Sequence, residues 1–199
     1  MTNSRGAETL DFRPSMRQTM VITDMSVRTD GEVSRVEIEL EPGQSGPPAH
    51  VHPQQREIYT VEAGELKVSL DSDRHTIRAG ESIEITPGRV HRFANPSSEV
   101  VRFRADHLPA LRFEEYIRLV HDTVHGKRVT LPTVLRIVRI ESSYGDTIVP
   151  PPGRRMVSKI LSGLGKLAGY PTGSELAGSV SQERGHTSTG HAPQRHDGG

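Results

Sequence analysis

Three histidines and one glutamate lie in two short stretches of the sequence, at spacings that suit a metal site. His50 and His52 are two residues apart, and side chains two apart on an extended strand project to the same face. Glu57 opens the next apolar run, on the same face as Tyr59, and His91 opens another run downstream. Imidazole and carboxylate groups bind borderline divalent transition metals, here Fe, Mn, Ni, Cu or Zn. We therefore predict one divalent metal ion with four protein ligands: His50, His52, Glu57 and His91.

Four protein ligands would leave two positions open on a six-coordinate ion. Water, dioxygen or a bidentate substrate could occupy them, so the site is a candidate Lewis-acid or oxygen-activating centre. Tyr59 is a candidate catalytic residue, because a phenol can donate a proton or hold a substrate oxygen. The alternative for Tyr59 is ordinary packing of an aromatic side chain in a core. The sequence contains no cysteine, which excludes disulfides, thiolate nucleophiles and sulfur ligands.

Short runs with a period of two residues must position these side chains. Between residues 20 and 108 apolar and polar residues alternate, as in Val36, Ile38 and Leu40 with glutamates between and after them. Such alternation places one face of a strand in a core and the other in water. Turn residues separate the runs at near-even spacing, which is typical of an antiparallel sandwich or barrel. The pattern predicts an all-β barrel over residues 20–108.

After Pro109 the period of the apolar residues becomes helical, which predicts a helical extension over residues 109–170. The first helix is predicted from five apolar residues: Phe113, Tyr116, Ile117, Val120 and Val124. A second helix has Pro132 in its first turn, and a third begins near Met156 and carries basic but no acidic side chains. We expect the third helix to pack its apolar stripe on the barrel or on another subunit. Contact with a membrane surface is the less favoured alternative.

Both ends of the chain are polar. Residues 1–19 are predicted to be a flexible segment, and because they lack the apolar core of a secretory signal we expect a cytoplasmic location. Residues 171–199 have few apolar side chains and cannot offset their ordering entropy, so we predict a disordered tail. No apolar run approaches the roughly 18 residues of a membrane span.

The charges and the remaining histidines narrow the choice of partners and ligands. The 25 basic and 25 acidic side chains give a formal net charge of zero, which argues against a general nucleic-acid binder. We expect a small-molecule substrate instead. Four histidines of the folded region are expected to be exposed or to play no part in the site: His75, His107, His121 and His125.

The two ligand stretches resemble the two sequence motifs of the cupin superfamily. The first motif, H-x-H followed by E and then G, matches His50, His52, Glu57 and Gly64. The second motif, G followed by G, H and N, matches Gly80, Gly88, His91 and Asn95. Where the motifs have a further glycine and a proline, this chain has Gln44 and Thr86. The short stretch between the motifs is similar to that of small single-domain, metal-binding cupins.

This resemblance, over residues 34–105, implies a double-stranded β-helix (jelly-roll) barrel with the metal bound inside, and it implies a homodimer. We expect a metal-dependent enzyme, an oxidoreductase of the dioxygenase type, that acts on a small enol, diol or polyphenol-like molecule. One alternative is a non-redox metal-dependent isomerase, cyclase or decarboxylase. The other is a cupin that binds a small molecule without turning it over.

Overall fold

The computed structural model describes residues 7–186 of the chain, in which ten strands precede four helices. The strands are β1 (Glu8–Asp11), β2 (Gln18–Asp24), β3 (Ser34–Leu40), β4 (Gln44–Ser45), β5 (Arg56–Ala63), β6 (Glu65–Leu70), β7 (Asp73–Arg78), β8 (Ser82–Ile85), β9 (His91–Asn95) and β10 (Val101–Leu108). The helices are α1 (Phe113–Val124), α2 (Leu131–Glu141), α3 (Arg155–Leu167) and α4 (Gly173–His186).

The strands form two antiparallel sheets, which confirms the predicted jelly-roll barrel. One sheet has six strands in the order β1-β2-β3-β10-β5-β8, and the other has four in the order β4-β9-β6-β7. The predicted inward faces are buried: Val36, Ile38 and Leu40 on β3, and Leu66, Val68 and Leu70 on β6. The apolar residues of the period-two runs therefore make the core, and the glutamates between them face outward.

The N-terminal segment corrects part of the prediction that residues 1–19 are flexible, of which residues 1–6 lie outside the described residues. Residues 8–11 form β1, which pairs antiparallel with β2 in the six-stranded sheet. Leu10 and Phe12 are buried in the core. Two apolar side chains in a short polar stretch give little periodicity, yet burying each can contribute about 2 kcal/mol. The barrel sheet therefore begins earlier than residue 20.

The helical extension contains the three predicted helices. All five predicted core residues of α1 are buried, and Pro132 lies in the first turn of α2. Helix α3 packs on α2, where Gly165 is buried, rather than on the barrel. Part of its apolar stripe is exposed, including Met156, Ile160 and Leu167. The extension is thus a small layer of helices in which α3 packs chiefly on α2.

The C-terminal region corrects part of the prediction of a disordered tail over residues 171–199. Residues 173–186 form helix α4, in which Gly173 lies against the ring of Tyr144. The remainder of the predicted tail, residues 187–199, lies outside the described residues. Of the helices in residues 7–186, none has both the length and the apolar character needed to cross a membrane.

Candidate metal centre

Four predicted ligands converge on one point inside the barrel. His50, His52, Glu57 and His91 are all buried, and each offers a nitrogen or oxygen atom within 4.8 Å of the others. The Oε2 atom of Glu57 lies 3.0 Å from Nε2 of His91 and 3.8 Å from Nε2 of His52. Side chains that are far apart in the sequence therefore form one compact cluster of nitrogen and oxygen donors that could hold a metal ion.

Backbone pairing fixes the positions of the four residues. His50 and His91 face each other across an antiparallel bridge, with their two N–H···O bonds 3.0 and 3.1 Å long. The next residue, Val51, pairs with Val149 of the helical extension. Glu57 lies on β5, where alternation places it on the buried face with Tyr59. The segment carrying His50 and His52 is thus held from both sides.

Each histidine donates its Nδ1–H group to a backbone carbonyl. The acceptors are Pro48 O for His50 at 2.9 Å, Thr147 O for His52 at 2.5 Å and Arg89 O for His91 at 3.0 Å. A carbonyl oxygen can only accept, so Nδ1 carries the proton and the lone pair of a neutral ring is on Nε2. This arrangement leaves all three Nε2 atoms available to bind a metal ion.

Two atoms of the cluster are buried without a hydrogen-bond partner among residues 7–186. These are Oε2 of Glu57 and Nε2 of His91, which are 3.0 Å apart. A carboxylate oxygen and an imidazole lone pair at that separation repel each other unless a proton or a cation lies close to both. Buried polar groups are rarely left unpaired. The donor set therefore fits a divalent cation.

Burial and mutual charge shift the pKa values of the cluster. Burial lowers the pKa of His50 well below its usual range, and it lowers the pKa of His52 to about 4. Burial alone would raise the pKa of Glu57, but the imidazoles of His107 and His91 hold it well below its usual value. The Glu57 carboxylate raises the pKa of His91 against the effect of burial. His50 and His52 thus offer neutral imidazoles and Glu57 offers a carboxylate, while a metal ion can displace the proton that Glu57 favours on His91.

His107 is a part of the site that the sequence analysis missed. It is buried, not incidental, and its Nε2 lies 3.0 Å from Oε1 of Glu57, the oxygen that does not face His91. Its ring stacks on Phe113 of α1 with the centroids 3.6 Å apart. A period-two signal was available, because Val101, Phe103 and Ala105 place His107 on the inward face of β10. His107 therefore positions the Glu57 carboxylate.

Three further histidines whose side chains the structure describes, His75, His121 and His125, lie outside the cluster. His125 is exposed, as expected, and His75 on β7 is half-buried. His121 on α1 departs from the expectation of a solvent-facing side chain, because it is only 16% exposed and its ring lies 5.3 Å from that of Phe12. His121 is shielded from solvent by the N-terminal segment, which contains Phe12 and joins the six-stranded sheet.

Tyr59 reaches the cluster from the same strand as Glu57. Its ring packs edge-on against Phe93 and Phe103, and its hydroxyl is buried with no hydrogen-bond partner in the described part of the chain. Burial and the charge of Glu57 raise the pKa of Tyr59 well above its usual value. The phenol therefore stays protonated, available to donate a hydrogen bond to a bound molecule.

Comparison with protein families agrees with this geometry. The family described as the cupin domain matches residues 36–106, a range that contains all four candidate ligands, Tyr59 and nearly all of β10. Residues 36–106 are a cupin domain. The helices of the extension begin after this range. No curated protein matches the sequence.

Three solved structures illustrate what the fold is similar to. A conserved protein with a double-stranded beta-helix domain from Klebsiella pneumoniae is 27% identical, with 41% of this chain and 70% of that chain covered and a TM-score of 0.39. An RmlC-like cupin from Shewanella frigidimarina is 19% identical (57% and 94% covered, TM-score 0.48). A structure described as a predicted oxalate decarboxylase from Thermotoga maritima is 21% identical (55% and 98% covered, TM-score 0.47). Each likeness covers little more than half of this chain at most.

A cavity of about 560 Å³ lies between the cupin domain and the helical extension. His50, His52, Glu57 and Tyr59 line it on the barrel side. On the other side it is lined by apolar residues of the extension, among them Phe113, Ile117, Val134, Ile137, Val138, Val157 and Leu161. We call this cavity the chamber. Its volume is in the range of sites for organic ligands, so the metal cluster opens onto a space that could hold a substrate.

Proposed function

We propose that the protein is a metal-dependent enzyme that acts on a small organic molecule bound in the chamber. The observation that carries this proposal is the convergence of three imidazoles and a carboxylate in one cluster, of which His50, His52 and Glu57 line the chamber. The ligands would be His50, His52, Glu57 and His91. When bound, a divalent transition metal supplies a Lewis acid for a substrate oxygen and, if it is redox-active, electrons for dioxygen.

The protein's own side chains hold the site ready for a ligand. Backbone carbonyls fix the three imidazoles in one tautomer, and His107 holds the second oxygen of Glu57. The largely apolar walls of the chamber lower the polarity around the site, which strengthens electrostatic interactions within it. The neutral phenol of Tyr59 can donate a hydrogen bond to a substrate oxygen or hold a proton there.

The reaction class we propose is oxidation of a small enol, diol or polyphenol-like molecule, as by a dioxygenase. The nitrogen and oxygen donor set supports this class, because imidazole and carboxylate suit Fe, Mn, Ni and Cu as well as Zn. The same donor set would serve non-redox isomerisation, cyclisation or decarboxylation through a Zn-type Lewis acid. The two classes differ in whether turnover needs dioxygen.

Oxygen uptake by the full, untagged protein distinguishes the classes. We expect a redox-active metal in the purified protein. Adding a catechol or an enolisable diketone should cause oxygen consumption, and no product should form under anaerobic conditions. The His52→Ala variant serves as the matched control, since it removes one ligand and should abolish uptake. Zinc in the protein, with product formed equally well without oxygen, would replace the dioxygenase proposal by the non-redox one. Binding without any product would contradict both.

A further inference from the structure

Apart from the metal cluster, Tyr59 and His107, the polar residues that line the chamber are Gln18, Arg154, Ser158 and a hydrogen-bonded pair from helices α1 and α2. Tyr116 of α1 donates its hydroxyl to Oε1 of Glu141, at the end of α2, over 3.3 Å. Both residues line the chamber, and both lie outside the matched range of the cupin domain. The pair is therefore a feature of the helical extension.

The Glu141 carboxyl has spare hydrogen-bonding capacity that faces an apolar space. Tyr116 is the only side chain that bonds to it among residues 7–186, so its Oε2 atom has no partner there. Glu141 is half-buried, and its accessible part faces the chamber. Burial raises its pKa to about 7. An isolated carboxyl among apolar walls is costly unless it is paired, which indicates that a ligand completes its hydrogen bonding.

The pair lies one helical turn along α1 from the residue that touches the metal cluster. Phe113 stacks on His107, and its ring centroid is 6.4 Å from that of His52. Tyr116 follows three positions later, and side chains three apart on a helix are neighbours on one face. A molecule that extends from the cluster along this face of α1 therefore reaches the pair.

We propose that the chamber binds an organic molecule with an apolar body and a hydroxyl group that hydrogen-bonds to Glu141. The apolar residues of the three helices pack against the body. A hydroxyl both donates and accepts, so it suits the carboxylate and the carboxylic acid alike. Arg154 also lines the chamber but is exposed. Next to Glu141 itself, an anionic group would be repelled by the carboxylate, and an ammonium group would form an ion pair whose burial is costly.

This inference refines the substrate class of the proposed function and rests on that function for the reaction of the bound molecule, but binding itself needs no metal. The probes are therefore 3-phenylpropan-1-ol and propylbenzene, which share an apolar body and differ by the hydroxyl. Each is titrated calorimetrically into the full chain, both as purified and after metal removal with EDTA. We expect the alcohol to bind in both cases.

Glu141→Leu, compared with the wild type, tests the hydrogen bond to the hydroxyl. Leu161→Trp, compared with Leu164→Trp, tests whether the chamber is where the molecule binds. Glu141→Leu removes the polar partner, and we expect the ratio of alcohol to hydrocarbon affinity to fall roughly five- to tenfold, since the hydroxyl is then buried unpaired. Leu161→Trp fills the chamber from α3, and we expect at least a tenfold loss of alcohol binding. Leu164→Trp is the matched control, because Leu164 lies on the same helix, is 48% exposed, and should leave binding unchanged.

The outcomes separate this inference from the metal proposal. An unchanged affinity ratio in Glu141→Leu, or wild-type alcohol binding in Leu161→Trp, would overturn the inference whatever the metal content. If the variants bind as expected but the purified protein holds no metal, the results would support binding in the chamber and contradict the proposed function. The Leu161 and Leu164 variants keep the test valid if Glu141→Leu does not fold.

Discussion

Glu57 lies between two imidazoles, and only one of them is a candidate metal ligand. One carboxylate oxygen faces His91 and the other faces His107. A carboxylate that would bind a metal through one oxygen depends on a donor at the other for its orientation. At the scale of single residues, the geometry of the site is therefore set as much by such neighbours as by the ligands.

His107→Ala should weaken metal binding by roughly 10- to 100-fold, the usual effect of losing a partner that orients a metal ligand. His107→Gln keeps an N–H donor and should recover part of the affinity. Competition with a chromophoric chelator measures both values, and thermal melts show whether each variant folds. His75→Ala is the control, because this histidine lies outside the cluster. Wild-type affinity in His107→Ala would show that Glu57 needs no such support.

Tyr59→Phe separates a role in the reaction from a role in packing. The Tyr59 hydroxyl has no partner among the described residues, so its removal should leave the free energy of unfolding unchanged or raise it by about 1 kcal/mol. If the phenol acts on the substrate, kcat should fall by about 100-fold or more, with the metal content unchanged. Urea unfolding and steady-state kinetics give the two numbers. An unaltered kcat would assign Tyr59 to the core alone.

Glu141 should make stability depend on pH in a direction opposite to most carboxyls. Its pKa in the folded protein is about 7, above the ordinary 4.5, so the folded state holds the proton more tightly than the unfolded state. This contribution to stability is fully present below pH 4.5 and is lost as the pH rises through 7. The glutamine of Glu141→Gln never ionises. The free energy of unfolding of this variant, relative to that of the wild type, should therefore rise by roughly 2–3 kcal/mol between pH 5 and pH 8.

Urea unfolding of both proteins across that pH range measures the effect. Glu62→Gln is the matched control, because it makes the same replacement at an exposed glutamate outside the chamber. A stability difference between Glu141→Gln and the wild type that does not change with pH would mean that the Glu141 carboxyl is not desolvated in the folded protein.

Among the elements, α3 forms part of the chamber wall through its packing on α2. A Cβ atom at Gly165 would lie 2.6 Å from Cγ of Arg139 and 3.1 Å from the carbonyl oxygen of Leu135. Such an overlap must be relieved by a shift of the Arg139 side chain, of the helices, or of both. The close approach of α2 and α3 therefore favours a glycine at this position.

Gly165→Ala should lower the free energy of unfolding by about 1–3 kcal/mol, as overpacking does in a tightly packed interior. Gly163→Ala, on the same helix, is the matched control, because a Cβ there meets no described atom within 4 Å. Its replacement should raise stability by up to about 1 kcal/mol, since alanine favours helix. Urea unfolding compares them, and equal stability of the two variants would contradict the packing described.

The elements with a clear period were predictable, and those without one were not. Runs such as Val36, Ile38 and Leu40, or Phe113 to Val124, repeat at the period of the structure they form and became β3 and α1. Strand β1 and helix α4 have no such repeat. Each gains its stability from tertiary packing rather than from a regular apolar face, so the sequence carries no periodic signal for it. The role of His107 depends on which strand lies beside β10, and pairing with β5 places it opposite Glu57.

For the molecule as a whole, the cupin domain and the extension build the site together. The four candidate ligands could be predicted from their spacing, but the carbonyl of Thr147 that orients His52 comes from the loop after α2. The chamber likewise depends on how the helices close over the barrel, which no local pattern specifies. A homodimer stays a prediction, and the exposed apolar residues of α3 give a physical reason to look for an interface.

The central claim is that one divalent metal ion binds at His50, His52, Glu57 and His91. Elemental analysis of the untagged protein tests it most directly, in parallel with a variant that carries both His50→Ala and Glu57→Gln. Three further histidines near the C-terminus, His186, His191 and His196, remain in both proteins, so they cannot account for a difference. We expect one equivalent of a transition metal per chain in the wild type and almost none in the variant. Equal metal content in the two proteins, or no stoichiometric metal in the wild type, would contradict the account.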